Sequence, residues 1–246
     1  MIIKSPKKRL TKNVDIKLQT NVNSYISIEK KDHVKFLGVF IDENLSWKYH
    51  ISFLSSRLSR SAGIFLKLRH YVSLTQMKTI YYSLVYPYLT YAIVAWGSTY
   101  KTHLTKIQVK QNHIVRILFF ATLYGKNTSN ALPFINLLDL LTVQNIFKLN
   151  SLKFIHQWQT NQLPSIFDDY FDFAKNKHSY NTRYVANQNL YKQKFRTNLG
   201  KQTISAIASD LWKEIPTTLK EIKNTYLFKK KIKQVLLQRQ QTQYAQ

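Results

Sequence analysis

The stretch Val34-Lys35-Phe36-Leu37-Gly38-Val39-Phe40-Ile41-Asp42-Glu43-Asn44-Leu45-Ser46-Trp47-Lys48-Tyr49-His50-Ile51 is where the chain changes its hydrophobic period. Its first half is a short apolar run with strand character, and it stops at Asp42-Glu43-Asn44, a turn signal. From Trp47 onward the spacing is helical: Ile51, Leu54, Leu58, Ala62 and Phe65 fall on one stripe, with Arg57, Arg60 and Lys67 on the far side. A strand run that hands over to an amphipathic helix predicts a small β portion followed by helices.

Upstream, Val14-Asp15-Ile16-Lys17-Leu18 alternates with strand period, and Ser24-Tyr25-Ile26-Ser27-Ile28 does so less cleanly. Ile2-Ile3 reads as a strand already under way at Met1, which predicts a truncated chain. Downstream, residues 75–97 predict one or two helices bent or broken near Pro87, with Gly97-Ser98 as the stop. Leu104, Ile107, Val115 and Leu118 mark a third apolar stripe, with Lys106, Lys110 and His113 opposite. Residues 126–170 continue helical, with breaks at Pro133 and Pro164, and residues 171–203 are polar and read as irregular. A short helix over 203–213 with Trp212 in the core is followed by a turn at Pro216. Residues 226–238 predict a basic helix with Phe228, Ile232 and Val235 inward, and the Gln-rich end beyond it is expected to fray. The fold class is therefore mainly α, with a small N-terminal β-hairpin or sheet.

Charge narrows the partner. The 246 residues carry 37 Lys and Arg against 12 Asp and Glu, a formal charge of +25, while an apolar content of 44% is enough for a folded core. No acidic residue lies between Glu43 and Asp139, a span that holds eleven Lys and Arg side chains. The segment after Glu221 adds Lys223, Lys229, Lys230, Lys231, Lys233 and Arg239, again without an acid. A solvated helix face usually mixes Glu with Lys to gain pairing; its absence points to a polyanionic partner, nucleic acid or an anionic membrane surface. Residues 79–100 carry no charge, but the five tyrosines over 81–91 and a central Pro87 dilute them, so a buried broken helix is preferred to a membrane span.

Catalytic motifs are scarce. Without cysteine there is no disulfide, thiolate zinc site or Cys nucleophile. The seven histidines are scattered without metal-ligand spacing, and five glycines form no phosphate-cradling loop. Asp168-Asp169 is the one Asp-Asp pair, the kind that could serve two divalent metals. Its place after Pro164, with Asp172 as its only close acidic companion, favours solvated or helix-starting acids.

The opening stretch closely resembles the "kFLGv-x-iD-x-x-L-x-W-x-x-Hi" segment of jockey-like and chicken-repeat-like LINE (non-LTR retrotransposon) reverse transcriptases. Further matches occur in family order. They are Ile80-Tyr81-Tyr82-Ser83-Leu84-Val85-Tyr86-Pro87-Tyr88-Leu89-Thr90-Tyr91 with Trp96-Gly97, then residues 104–116 with internal Gln111, then His178-Ser179-Tyr180-Asn181-Thr182-Arg183. Leu211-Trp212-Lys213-Glu214-Ile215-Pro216 and Phe228-Lys229-Lys230-Lys231-Ile232-Lys233 complete a series that spans nearly the whole chain.

The resemblance implies a layout. Residues 1–44 correspond to the end of the palm, whose Lys35-Phe36-Leu37-Gly38 is the primer-grip hairpin. Residues 45–125 correspond to a helical thumb that closes on an RNA–DNA hybrid, and 126–246 to a helical C-terminal region with an irregular loop over 171–203. The implied nucleic-acid contacts are Lys35, Phe36, Leu37 and Gly38 in the hairpin; Arg57, Arg60, Lys67, Lys106, Lys110 and Arg116 in the thumb; and Tyr180, Arg183, Lys229 and Lys230 beyond it. Gly38 suits close approach of a primer backbone, although an ordinary tight strand end explains it too. Tyr180 and Arg183 suit stacking and phosphate contact, against the alternative of a packed turn with a buried ring.

The family's fingers, its aromatic-x-Asp-Asp hairpin, its upstream catalytic Asp and its endonuclease have no counterpart in this sequence. The expected activity is thus that of a fragment derived from an RNA-directed DNA polymerase, inactive alone, with no cofactor of its own and Mg²⁺ implied for the intact polymerase. Expected partners are RNA, an RNA–DNA hybrid and the missing palm and fingers, in an intracellular, nuclear or cytoplasmic ribonucleoprotein and not a secreted one. The competing reading is a non-enzymatic basic helical protein that binds RNA or anionic membrane surfaces.

Overall fold

Alternation and turn chemistry account for the first elements. Strand β1 (Lys17–Asn21) pairs antiparallel with β2 (Ser24–Ser27), and β3 (His33–Phe36) pairs antiparallel with β4 (Val39–Asp42), giving two separate two-stranded sheets. The computed structural model describes residues 17–21, 24–119, 131–177 and 182–245, together with Met1, Ile3 and Tyr180. The expected strand at Ile2 and most of the one over 14–18 lie outside these residues. The chain forms two units, residues 1–53 and 54–246.

In the first unit the β3–β4 register pairs Phe36 with Val39, which leaves Leu37-Gly38 as a two-residue turn. Both sit at positive φ, 45° and 82°, as a primed hairpin turn requires. Asp42 ends β4 and organises the turn after it. Its buried carboxylate accepts from the amides of Asn44 (3.2 Å), Ser46 (2.9 Å) and Trp47 (2.8 Å). Leu45 and Trp47 adopt positive φ in this tight turn. Helix α1 (Lys48–Leu68) starts directly after it.

The stripe expected on α1 is buried in full: Ile51, Leu54, Leu58, Ala62 and Phe65 all lie inside. After a Ser73–Gln76 capping box, the segment around Pro87 becomes three pieces, α2 (Leu74–Leu84), α3 (Tyr86–Thr90) and α4 (Ile93–Trp96). Met77, Tyr81, Val85, Leu89, Ile93 and Trp96 nevertheless form one continuous buried row through all three. Gly97 stops the segment where a Cβ would strike the Phe147 ring. Among the described residues no helix is long and apolar enough to cross a membrane.

Helix α5 (Lys101–Leu118) and α6 (Leu132–Leu137) come next. Pro133 occupies the first turn of α6, where its missing N–H is harmless, and so it opens a helix where a break was expected. Residues 138–141 are a tight turn with Asp139 at φ 54°, not a continuing helix. Helix α7 (Val143–Gln159) is the hub of the second unit, with α3, α4, α5, α11 (Ile204–Lys213) and α13 (Thr225–Ala245) packed on it. A 3₁₀ helix (Ser165–Tyr170) begins after Pro164, and α8 (Ala174–Lys177), α9 (Arg183–Ala186) and α10 (Asn198–Lys201) punctuate the polar segment. Helix α12 (Thr217–Lys220) begins after Pro216.

Two expectations for the C-terminal helix are corrected. Its inner row is Phe228, Ile232, Leu236 and Gln240, with Val235 only half-buried. The Gln-rich end is helical to Ala245 because Gln240 is a buried staple. Its amide oxygen accepts from the Thr142 backbone N–H (3.1 Å) and from the Asn145 amide (2.8 Å); its nitrogen donates to Asn136 (2.6 Å) and the Leu140 carbonyl (3.2 Å). From the other side, Gln111 donates to the Tyr81 hydroxyl (2.9 Å) and the Leu141 carbonyl (2.8 Å), and Gln108 accepts from the Val143 amide (2.8 Å). The backbone of the α6–α7 turn is thereby satisfied by side chains from helices distant in sequence, as buried polar backbone requires.

Candidate nucleic-acid interface

In the first unit, the hairpin tip presents apolar side chains to solvent. Phe36 is 61% and Leu37 is 74% exposed. Leu37 holds its left-handed φ in a position that favours Asn or Gly, so the turn carries backbone strain of about 1 kcal/mol. Gly38 takes the second such position, where a Cβ would be unwelcome whatever the space. Beside them Lys35 reaches across the register to Phe40, its ammonium 5.9 Å from the ring centroid. His33 stacks on Tyr49 with centroids 4.0 Å apart, and Phe40 leans on Phe53 at 5.2 Å, so the hairpin base is packed on the start of α1. His50 is buried here, and burial lowers its imidazole to about 4.

In the second unit the cations of α1 and α5 stand on the faces away from the buried stripes. Arg60 and Lys67 are exposed and Arg57 is half-buried. On α5 Lys106 is exposed, while Lys110 and Arg116 are half-buried. Among the described residues Arg60, Lys67, Lys106 and Lys110 have no carboxylate within ion-pair distance. Lys110 and Arg116 flank His113: burial, then Arg116, then Lys110 lower its imidazole.

Of the residues beyond α5, Tyr180 is 79% exposed, which removes the alternative of a buried ring in a packed turn. Arg183 is exposed at the start of α9, whose Thr182 cap accepts from the Val185 amide at 3.3 Å. The neighbouring His178, Ser179 and Asn181 lie outside the described residues. Lys230 is exposed on α13, and Lys229 is half-buried.

Two features escaped the sequence reading. Tyr71 is 85% exposed at the turn between α1 and α2, directly after Arg69 and His70, whose side chains hydrogen-bond at 3.0 Å. An aromatic residue close to Arg69 at a helix–helix turn was visible as a stacking candidate. Lys153 of α7 lies in the field of Lys229 on α13, a proximity that no spacing in the sequence discloses. Asp168 and Asp169 are exposed in the 3₁₀ helix, where the Trp158 indole donates to the Asp168 carbonyl at 3.1 Å.

Comparison with known proteins finds partial similarity to two transposon polymerases. The chain is 26% identical, over 107 residues and 42% of its length, to a probable RNA-directed DNA polymerase from transposon X-element of Drosophila melanogaster. It is 35% identical, over 94 residues and 37% of its length, to the RNA-directed DNA polymerase from mobile element jockey of Drosophila funebris. The aligned regions are 12% and 10% of those two proteins, so the chain spans a small part of the curated relatives it matches. No family model and no solved structure matches. The similarity supports an origin in the reverse transcriptases of non-LTR retrotransposons.

Proposed function

We propose that this chain is the nucleic-acid-gripping part of a jockey-like non-LTR retrotransposon reverse transcriptase. In this reading, residues 1–44 end the palm and carry the primer grip, 45–125 form the thumb, and 126–246 are the C-terminal region. The ligand is RNA or an RNA–DNA hybrid, held by phosphate contacts that position the duplex without reading its sequence. The observation that carries the reading is the unneutralised cations Arg60 and Lys67 on α1 and Lys106 and Lys110 on α5, in a span of the chain without an acid. The exposed, strained Phe36-Leu37-Gly38 tip supports the primer-grip assignment, because strain kept at an exposed apolar turn is typical of contact sites.

Polymerisation itself is assigned to a separate palm, which supplies the carboxylates that hold Mg²⁺; no residue of this chain is given that role. The setting is an intracellular ribonucleoprotein in the nucleus or the cytoplasm. The test is binding of a short RNA–DNA hybrid across a salt series. The reading requires a steep linear fall of log affinity with log salt, about one unit of slope for each phosphate contact. Binding that ignores salt rejects it. Primer extension with Mg²⁺ is the companion assay: robust synthesis by this chain alone would overturn the assignment of catalysis to a separate palm.

A further inference from the structure

Among the cations of helices α7 and α13, two groups differ in one respect. Lys148 of α7 and Arg239 of α13 share the Glu214 carboxylate, at 3.8 and 3.2 Å. Lys153 of α7 with Lys229 and Lys233 of α13 form the second group, and among the described residues none of the three has an ion-pair partner. Lys229 and Lys233 are one helical turn apart, above Phe228 and Ile232, which are buried and fix the rotation of α13. Lys233 is further oriented by Tyr82: its ammonium lies 3.5 Å from the hydroxyl and 5.7 Å from the ring centroid. Like charges four residues apart destabilise a helix, and α7, which packs on α13, brings the Lys153 charge within electrostatic reach of Lys229. The half-buried Lys229 registers the crowding: burial, then Lys153, then Lys233 lower its affinity for its proton.

We propose that Lys153, Lys229 and Lys233 form a phosphate-binding site on the α7–α13 face, for the phosphates of a nucleic-acid backbone or of a free polyphosphate. Three compact ammonium groups without a guanidinium fork suit an anion recognised by charge density. Tyr82 adds a neutral donor, since burial and then Asp139 raise its hydroxyl above the ordinary phenol range and keep it protonated. The site lies on different helices from the α1 and α5 cations, so its failure would leave the preceding reading standing.

The experiment uses the full chain and the double variant Lys153→Gln/Lys229→Gln, with Lys233 left in place on Tyr82. Without ligand, the variant should melt at or above the parent temperature, because mutual repulsion has been removed; a marked drop in Tm would contradict the proposal. Inorganic tripolyphosphate should raise the Tm of the parent but not of the variant. In a salt titration with a short mixed-sequence RNA, the variant's slope should be shallower by about 1 to 2. Loss of RNA slope assigns the site to a nucleic-acid backbone. Loss of the tripolyphosphate effect alone assigns it to a free polyphosphate. If the variant keeps the parent's response to both, the site does not exist. Arg60→Gln/Lys67→Gln, measured alongside, reports on the thumb reading separately.

Discussion

The helices α1 and α5 and the neighbourhoods of Glu214, Asp210 and Asp172 treat excess positive charge in opposite ways. In the C-terminal region, acids are available and are used: Glu214 takes Lys148 and Arg239, Asp210 takes Lys192 at 2.7 Å, and Asp172 takes Lys177 at 3.1 Å. Even Lys220, buried without a carboxylate, donates to the Asn187 carbonyl (2.9 Å) and to Asn189 (2.8 Å), with its ammonium 5.7 Å from the Trp212 ring centroid. On α1 and α5 no acid is supplied by the local sequence, and Arg60, Lys67, Lys106 and Lys110 stay uncompensated. The difference separates cations that hold the fold from cations that the fold holds out. Removing the first kind should cost stability, and removing the second kind should cost binding.

The largest effect tests the first kind. Lys220→Ala leaves the Asn187 carbonyl and the Asn189 amide oxygen without their donor, and should destabilise the chain by about 3 kcal/mol in chemical denaturation. RNA affinity of the fraction that remains folded should be unchanged; a loss of affinity with stability intact would break the division. Acid provides a second large effect, in the first unit. His50 titrates near 4 when folded, against about 6.5 in the unfolded chain. The unfolded chain therefore binds more protons between these values, so stability is complete above pH 6.5 and falls by up to about 3 kcal/mol as pH drops through 4. A His50→Phe variant should flatten that part of the profile.

Smaller effects address the second kind. Arg60→Gln/Lys67→Gln should weaken hybrid binding about tenfold at low salt and lower the salt slope by about 2. Its stability should stay within about 0.5 kcal/mol of the parent, as is usual for exposed substitutions. Smallest is Leu37→Asn. It relieves the left-handed strain and should stabilise the hairpin by about 0.5–1 kcal/mol. If the tip grips a primer end, the same variant should bind a recessed primer–template less well; equal binding would reduce Leu37 to a poorly chosen turn residue.

The periodic parts of this fold are legible in the sequence. Ile51, Leu54, Leu58, Ala62 and Phe65 announce α1 because burial selects apolar side chains at helical spacing. Where burial selects polar side chains the signal fails. Gln240 continues the inner row of α13, but a glutamine in a Gln-rich segment reads as solvent-facing, so the sequence predicts fraying where the helix is held. Pro133 misleads because a proline that ends one helix and a proline that opens another look alike without the dihedrals. Asp42 reads as a turn signal, which is correct, but its three accepted amide bonds cannot be counted from sequence. The cations of α1 and α5 are visible as rows on single helices. Lys153 is not, since its relation to Lys229 exists only after α13 docks on α7.

The Gln240 staple has a consequence for how the protein is made. Its partners Asn136, Leu140 and Thr142 lie 104, 100 and 98 residues earlier in the chain. During translation the Leu140 carbonyl and the Thr142 amide therefore leave the ribosome with only water to bond, until Gln240 is synthesised about 5–20 s later at usual elongation rates. Helix α13 supplies the missing partners, so the turn takes its final form only once the message has been read through Gln240.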